Sequence, residues 1–451
     1  MRWRPEPSRL SQRNKEGNIM RKPITLVAAG ITTVLVLSGC SSSGDAADGT
    51  VTLQMVESLT NPARTQLLKS LIADFEAEHE NITVNLISPP TDGADQKIQQ
   101  MLQSGTGIDV FEVRDNTVGP FNANGWIYDM SDEIKSWEGW SDLTATAQEF
   151  SQLDGKTLYI PYGFYVKTLF ERTDLLEAAG LESPASWQDL LDAAVEINDP
   201  DDNTYGWAYR GGTEGYSHAA IIMEAYAADD LDPTNAYRLQ NGNTLFSSPE
   251  AAEGLQLSLD LFNEASPPSS VAWGYPEMVE SFSAGTSGFL MQTSEVIATI
   301  QESTSVAADQ WNTTPLPVGP TGKAPQPLGS NGWGIAESSA HKTEAIELIE
   351  FLSSGETSLE FSKGNNLVPI LLSAEADPYF TEGPWASYLK MNEDPEVHYT
   401  VQEPRSVTWW SEWAAKANTD FQSMLIGDRT VGDVLADWDA YWTEKWDQAK
   451  E

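Results

Sequence analysis

Residues 51–75 read VTLQMVESLTNPARTQLLKSLIADF and join a strand pattern to a helix pattern. Apolar and polar residues alternate over 51–55, as they do in a half-buried strand. Asn61 and Pro62 are typical of the N-cap and first position of a helix. Apolar residues over 67–75 then recur at helical spacing. The segment therefore predicts a strand followed by a helix.

The same alternation continues along the next forty residues. Residues 82–86 alternate again, residues 98–102 carry the apolar face of a second helix, and residues 108–113 form a third, apolar strand. Strands that recur with helices between them predict an open α/β sheet with right-handed crossovers. Ligands of such sheets bind at the carboxyl ends of the strands. Those ends are residues 57–61 and 114–116.

The rest of the chain also favours an α/β fold. Ser186 and Asp189 have the spacing of a capping box and predict a helix that starts there. After a turn-rich stretch, three amphipathic helices follow towards the C-terminus. Trp413, Trp438 and Trp442 lie on the apolar faces of the last two, where we expect them to be core residues.

The charge balance restricts the partners of this protein. The chain has 67 acidic and 26 basic residues, a formal net charge of −41. Such a surface repels phosphate backbones and anionic headgroups, so we expect no nucleic acid and no peripheral membrane binding. A neutral or cationic ligand is favoured.

The N-terminus indicates secretion. Arg21 and Lys22 precede an apolar run over 24–37, which is too short to span a bilayer. Cys40 is the only cysteine, so the chain can form no internal disulfide. The tetrapeptide that ends at Cys40 resembles the bacterial lipobox, which implies cleavage before Cys40 and its acylation. The alternative is a buried free cysteine, but the polar residues that follow leave no core around it.

Motifs for catalysis or metal binding are weak. The string at 319–323 lacks the spacing of a phosphate-binding loop, and 215–219 departs from the GxSxG nucleophile elbow. Residues 199–203 lack the glycine and glutamate of a calcium loop. The four histidines are far apart. We expect no catalytic residue, no metal and no cofactor.

Aromatic residues are abundant, with 16 Trp, 14 Tyr and 14 Phe. Sugars present hydroxyls to carboxylates and amides, and their apolar faces stack on aromatic rings. A cleft that mixes aromatic and polar side chains would therefore suit a carbohydrate, although most of these rings are expected in the core.

Three groups of short segments stand out in order along the chain. They are GTGIDVF at 105–111 with NGWIYD at 124–129, LDGKTLYIPY at 153–162 with SWQDL at 186–190, and FSAG at 282–285 with PLP at 315–317 and GWGI at 332–335. Together they resemble the extracellular solute-binding proteins of sugar ABC transporters, the group that includes maltose-binding protein. The resemblance implies a two-lobed α/β fold of open mixed sheets with helices on both faces and a cleft between the lobes. It also implies a monomer, anchored by lipid to the extracellular face of the cell membrane, that hands a small carbohydrate to the permease subunits of the transporter.

The resemblance also implies a division of the chain. The expected segments are a removed leader at 1–39, a tether at 40–50, lobe 1 at 51–162 and 328–366, and lobe 2 at 163–327 and 367–451. The segments that cross between the lobes are expected near 161–164, 328 and 365–368.

Site residues follow from the same resemblance. The expected ligand contacts are Asp115, Asn116, Tyr162, Tyr165, Tyr209, Arg210, Gly211, Trp273, Trp333, Glu403, Arg405 and Trp409. Trp333 lies between Gly332 and Gly334, which let the backbone approach closely, and we expect its ring to be a stacking platform.

Two other functions compete with this interpretation. A secreted carbohydrate-active hydrolase would use the same aromatic and acidic residues, but it would consume the sugar. A surface adhesion protein would favour repeats and β-rich architecture, and the sequence contains neither.

Overall fold

The computed structural model describes residues 50–374 and 376–448. The predicted leader, Cys40 and the tether up to residue 49 lie outside these ranges. Among the described residues, no helix combines the length and apolarity needed to cross a membrane.

The chain alternates strands and helices. The strands are β1 Val51–Val56, β2 Ile82–Ile87, β3 Val110–Arg114, β4 Gln152–Leu153, β5 Lys156–Thr157, β6 Tyr159–Glu171, β7 Tyr205–Trp207, β8 Leu231–Asp232, β9 Asn235–Leu239, β10 Ser287–Thr293, β11 Asn312–Thr314, β12 Gln326–Ile335 and β13 Thr400–Val401. The helices are α1 Pro62–Glu78, α2 Thr91–Ser104, α3 Asp115–Ala123, α4 Ser131–Ile134, α5 Ala145–Phe150, α6 Thr173–Ala179, α7 Trp187–Ile197, α8 Gly215–Tyr226, α9 Pro249–Ala265, α10 Tyr275–Ser283, α11 Val296–Gln301, α12 Lys342–Leu352, α13 Gly355–Asn365, α14 Pro378–Thr381, α15 Ala386–Glu393, α16 Trp410–Leu425 and α17 Val431–Gln448.

The N-terminal βαβαβ unit is confirmed. Strands β1, β2 and β3 are parallel, with β1 between the other two. Asn61 caps α1, because its side chain accepts a hydrogen bond of 2.9 Å from the backbone N–H of Arg64. Ser186 and Asp189 form the predicted capping box at the start of α7. Both helix starts were therefore predicted correctly from local sequence.

One long strand connects the two halves of the main sheet. The strand order is β2-β1-β3-β12-β6-β10-β7. The first part of β6 pairs with β12, and its second part, from residue 167 to residue 171, pairs with β10. We name the part around β1–β3 lobe 1 and the part around β7, β10 and the helices packed on them lobe 2. Strand β6 therefore runs from one lobe into the other.

The three predicted crossing segments lie side by side. Phe164 of β6 pairs with Ser330 of β12 and forms a bridge with Val368, which follows α13. The predicted lobe boundaries themselves stay a prediction. Beyond residue 367, Leu371 forms a bridge with Leu143, so the chain there still contacts lobe 1.

Buried apolar residues form three clusters. One packs α1, α12 and α13 on lobe 1 and continues towards α10 and α15, a second fills lobe 2, and a third lies beneath α2 and α3. Trp413, Trp438 and Trp442 are each 0% exposed in the lobe 2 cluster, which confirms their predicted core role.

Candidate functional site

The floor of the candidate site lies where β6 and β12 run together. Of the 13 residues of β6, only Tyr165 and Lys167 are partly exposed, and on β12 only Leu328 and Gly329 are. Gly329 pairs with Tyr165. A Cβ added at Gly329 would lie 3.5 Å from Tyr165 Cβ and 3.7 Å from the Asp115 carboxylate. Glycine therefore keeps the floor open between these two side chains.

The wall in lobe 1 begins where β3 ends. Helix α3 starts at Asp115, and its start is fixed by the Arg114 backbone N–H, which donates to the Thr117 hydroxyl at 3.0 Å. The Arg114 guanidinium pairs with Asp95 at 3.0 Å. Asn116 Oδ1 is buried and has no hydrogen-bond partner within 50–374 and 376–448. The wall thus presents one carboxylate and one unsatisfied amide oxygen.

The wall in lobe 2 carries two ion pairs. Arg405 Nε donates to Glu403 at 2.8 Å, and Arg405 Nη1 lies 3.8 Å from Asp115 Oδ2 of lobe 1. Arg210 Nη2 donates to Glu214 at 2.9 Å. The charges of this wall are therefore largely balanced within the wall itself.

The two walls also touch through their backbones. A Cβ added at Gly119 of α3 would lie only 1.9 Å from the carbonyl oxygen of Ser406. No side chain fits at Gly119 without moving one of these segments. The contact lies beside the pair of Asp115 and Arg405.

Gly211 acts through its backbone. Its N–H donates to the Ser270 carbonyl at 3.0 Å, and the next N–H, of Gly212, donates to the Trp273 carbonyl at 2.8 Å. These bonds hold Trp273, which is partly exposed and packs against the lobe 1 cluster. The exposed Tyr275 follows at the start of α10.

Burial perturbs the charged groups of the site. Burial raises the pKa of Asp115, although Arg405 opposes this effect. Burial alone would lower the pKa of Arg405, but Glu403 and Asp115 raise it. Burial lowers the pKa of Lys167 and raises that of Tyr165 to about 12. For Asp115, Lys167 and Tyr165 burial outweighs the neighbouring charges, whereas the acidic partners of Arg405 outweigh its burial.

Glu295 lies just beyond β10, near this floor. Burial raises the pKa of Glu295, and Lys167 and Arg210 partly oppose that shift. Its Oε2 atom is buried and has no hydrogen-bond partner in the part of the chain that the structure describes. Glu295 thus adds an acidic group close to Lys167 and Arg210.

Three predicted ligand contacts lie in the core instead. Trp333 is 1% exposed and packs against Tyr162 and Phe361, with ring centroids 5.2 and 6.2 Å apart. Tyr162 is also 1% exposed, and its hydroxyl donates to Glu112 at 2.5 Å. Tyr209 hydrogen-bonds Ser258 at 2.9 Å inside lobe 2. We therefore correct Tyr162, Tyr209 and Trp333 from ligand contacts to packing residues.

Trp409 also differs from its expected role. Its ring lies 4.5 Å from that of Trp442 and 5.8 Å from that of Tyr441, and Lys445 Nζ lies 5.7 Å from its centroid. These contacts come from α17. The ring of Trp409 therefore packs against helix α17.

The other predicted residues stay candidate ligand contacts. They are Asp115, Asn116, Tyr165, Arg210, Gly211, Trp273, Glu403 and Arg405. Four further side chains that the sequence analysis did not single out lie near the charged groups of the candidate site, namely Lys167, Glu214, Tyr275 and Glu295. Lys167 could have been found, because residues two apart in a strand face the same side and Tyr165 was already assigned to the cleft.

The cleft offers hydrogen-bond donors, acceptors and aromatic rings. Within 50–374 and 376–448, no cluster of three or more His, Cys, Asp or Glu side chains is arranged to hold a metal ion. The chemistry that these groups support is recognition of a small polar molecule.

Residues 61–357 match the family described as bacterial extracellular solute-binding protein. This chain belongs to that family. A putative binding protein of Brucella abortus is 24% identical to this solute-binding protein over 415 residues, which cover 91% of this chain and 96% of the relative.

Solved structures share the fold. The ABC substrate-binding protein Lmo0181 of Listeria monocytogenes, in complex with cycloalternan, superposes with a TM-score of 0.74 at 19% identity over 88% of this chain and 99% of the other. Maltose-bound MalE3 of T. maritima gives 0.73 at 20% identity over 86% and 98%. These matches confirm the predicted two-lobed α/β fold.

Proposed function

We propose that this protein is the substrate-binding subunit of an ABC importer and that its ligand is a small neutral carbohydrate or polyol. The ligand lies between the lobes, on the floor formed by β6 and β12. The observation that carries this proposal is the patch of Tyr165 and Lys167, the only partly exposed residues of β6.

The charge pattern of the walls favours a neutral ligand. Arg114 pairs with Asp95 at 3.0 Å, Arg210 with Glu214 at 2.9 Å and Arg405 with Glu403 at 2.8 Å. A neutral ligand can contact these walls without breaking their ion pairs. Its hydroxyls can donate to Asp115 and Asn116 while its apolar faces contact aromatic rings.

The two structural relatives hold cycloalternan and maltose, which are both carbohydrates. Their similarity of fold supports the proposal of a ligand between the two lobes of this chain. The cleft of this chain has the same composition of acids, amide and rings that such ligands require. We therefore assign the same broad class of ligand here, at the level of polyhydroxylated molecules.

Delivery to the membrane completes the proposed role. The monomeric protein is held at the extracellular face by a diacylated Cys40 and passes its ligand to the permease subunits. The two lobes move relative to each other. Lobe 1 comprises residues 51–162 and 328–366, and lobe 2 comprises residues 163–327 and 367–451. Intact mass spectrometry of the membrane fraction tests the anchor, since an unmodified Cys40 or another mature start would contradict it.

A thermal-shift screen followed by calorimetric titration tests the ligand class. The panel contains ribitol, D-mannitol, D-tagatose and maltose, with glucuronate and glucosamine as charged controls. A ligand at 100 times its Kd stabilises the folded state by about 2.7 kcal/mol. Stabilisation by charged members alone, or by none, would contradict the proposal. Ligand recovered as a product after overnight incubation would support a hydrolase.

A further inference from the structure

Lys167 has an unusual position at the boundary of the two lobes. It lies on β6 at the first residue that pairs with β10 rather than β12, and its register partner is Thr293. It shares its strand face with Tyr165, two residues earlier. The side chain therefore lies on the cleft floor and at the crossing point between the lobes.

The amino group of Lys167 has no partner. Over residues 50–374 and 376–448, it forms neither an ion pair nor a hydrogen bond, whereas Lys416 and Lys445 hold carboxylates at 2.7 and 2.8 Å. The nearby acids Glu403 and Glu214 interact with it at longer range but are already paired with arginines. An ammonium group has three donors, and partial burial without acceptors is costly.

Burial is also the main cause that lowers the pKa of Lys167, and Glu403 opposes the effect. The partly buried positive charge of Lys167 on the cleft floor is thus not paired with any group of the described residues. Compensation must come from what occupies the cleft.

We propose that Lys167 is a specificity-determining residue that donates hydrogen bonds to hydroxyl or ring oxygens of the ligand beside Tyr165. This inference rests on the proposed function and names a contact within that site. We take the acceptors to be uncharged, because acids (Glu214, Glu403) and arginines (Arg210, Arg405) both lie near Lys167 and offset one another.

Lys167→Met tests the proposal, because methionine keeps an unbranched side chain of similar length and removes the donors. The probe is the panel member among ribitol, D-mannitol, D-tagatose and maltose that binds the wild-type protein most tightly. We expect its Kd to rise about 10- to 100-fold, as for a hydrogen bond to a charged group. Lys323→Met is the matched control, since Lys323 pairs with Asp229 outside the cleft. The Kd of this variant for the same probe should equal that of the wild type.

Thermal unfolding of the ligand-free variant separates a binding role from a structural one. Removal of an unpartnered ammonium should leave the unfolding midpoint unchanged or raise it. A Kd within twofold of the wild-type value, or a lower midpoint in the ligand-free variant, would overturn the proposal.

Chemical labelling gives a result even if no panel member binds. Acetic anhydride should acetylate Lys167 faster than Lys445 in the ligand-free protein, as measured by peptide mass spectrometry, because Lys445 is paired with Glu412. A bound probe should protect Lys167 at least tenfold and leave Lys445 unaffected. If no probe binds, the proposed ligand class fails, while fast labelling still supports a free amino group in the cleft. Labelling slower than that of Lys445, or no protection by a bound probe, overturns the role of Lys167.

Discussion

Asp115 and Arg405 face each other across the cleft, with 3.8 Å between the carboxylate oxygen and the guanidinium nitrogen. Asp115 starts helix α3 of lobe 1, whereas Arg405 is held in lobe 2 by Glu403 and lies 5.8 Å from the ring centroid of Trp410. The distance is long for a hydrogen bond, so the pair leaves room for a ligand hydroxyl to accept from one partner and donate to the other.

Asp115→Asn should weaken binding of the best panel ligand by at least tenfold, or about 1.4 kcal/mol. The asparagine keeps the shape of the side chain, but one acceptor becomes a donor that faces Arg405. Isothermal titration calorimetry measures the effect. The unfolding midpoint of the ligand-free protein should change little, because Arg405 retains Glu403. Unchanged affinity would remove Asp115 from the site.

Trp333→Ala should destabilise the ligand-free protein by about 3 to 5 kcal/mol, because it leaves a cavity between Tyr162 and Phe361. Denaturant unfolding measures this loss. Trp446→Ala is the control, since that ring is partly exposed, and it should cost less. A Trp333→Ala protein of unchanged stability that binds ligand tenfold more weakly would restore the stacking role.

The regular elements near the N-terminus could be predicted because their patterns are local. Alternation over residues 51–55 and a cap at Asn61 determine a strand and a helix within one short segment. The length of β6 was harder to predict from the sequence. It runs for 13 residues and changes its partner from β12 to β10, which depends on pairing with residues far away in sequence.

Prediction of the site residues was limited in the same way, because local sequence does not determine long-range packing. The end of β3 was predicted as a ligand-binding edge from topology alone, and Asp115 lies there. Trp333 was assigned incorrectly, because flanking glycines indicate close backbone approach but not which side of the sheet the ring occupies. Its ring lies on the side that α13 covers, against Phe361.

Glu224→Gln should make the protein more stable at neutral and alkaline pH. Glu224 is 0% exposed in α8, and both of its carboxyl oxygens lack a hydrogen-bond partner among the described residues. Burial, with a smaller contribution from Glu403, raises its pKa well above the ordinary value of 4.5. The folded state therefore keeps its proton while the unfolded state loses it above about pH 4.5. Stability from this group is complete below that pH and is lost as the pH rises towards the folded pKa.

Thermal unfolding of Glu224→Gln and wild type from pH 5 to pH 8 measures this difference. The free energy of unfolding of Glu224→Gln, relative to that of the wild type, should increase by at most about 1.4 kcal/mol per pH unit while the buried carboxyl of the wild type stays neutral. Glu264→Gln, at an exposed position of α9, should show no such trend. A constant difference between Glu224→Gln and wild type would contradict the assignment of a neutral buried acid.

Gly119→Ala should weaken ligand binding by preventing full contact between the lobes. A Cβ at residue 119 would lie 1.9 Å from the Ser406 carbonyl oxygen, which belongs to backbone and cannot rotate away. The lobes must then separate slightly, and the closed, ligand-bound state loses stability relative to the open state. Calorimetry should show a higher Kd, and small-angle scattering should show a larger radius of gyration with saturating ligand.

Gly125→Ala is not a suitable control, because its φ of 67° would strain alanine. Ala123→Gly, at the exposed end of the same helix, is the control, because it tests whether any substitution in α3 is enough to raise the Kd. If Gly119→Ala binds and closes like the wild type, the contact with Ser406 is not part of closure.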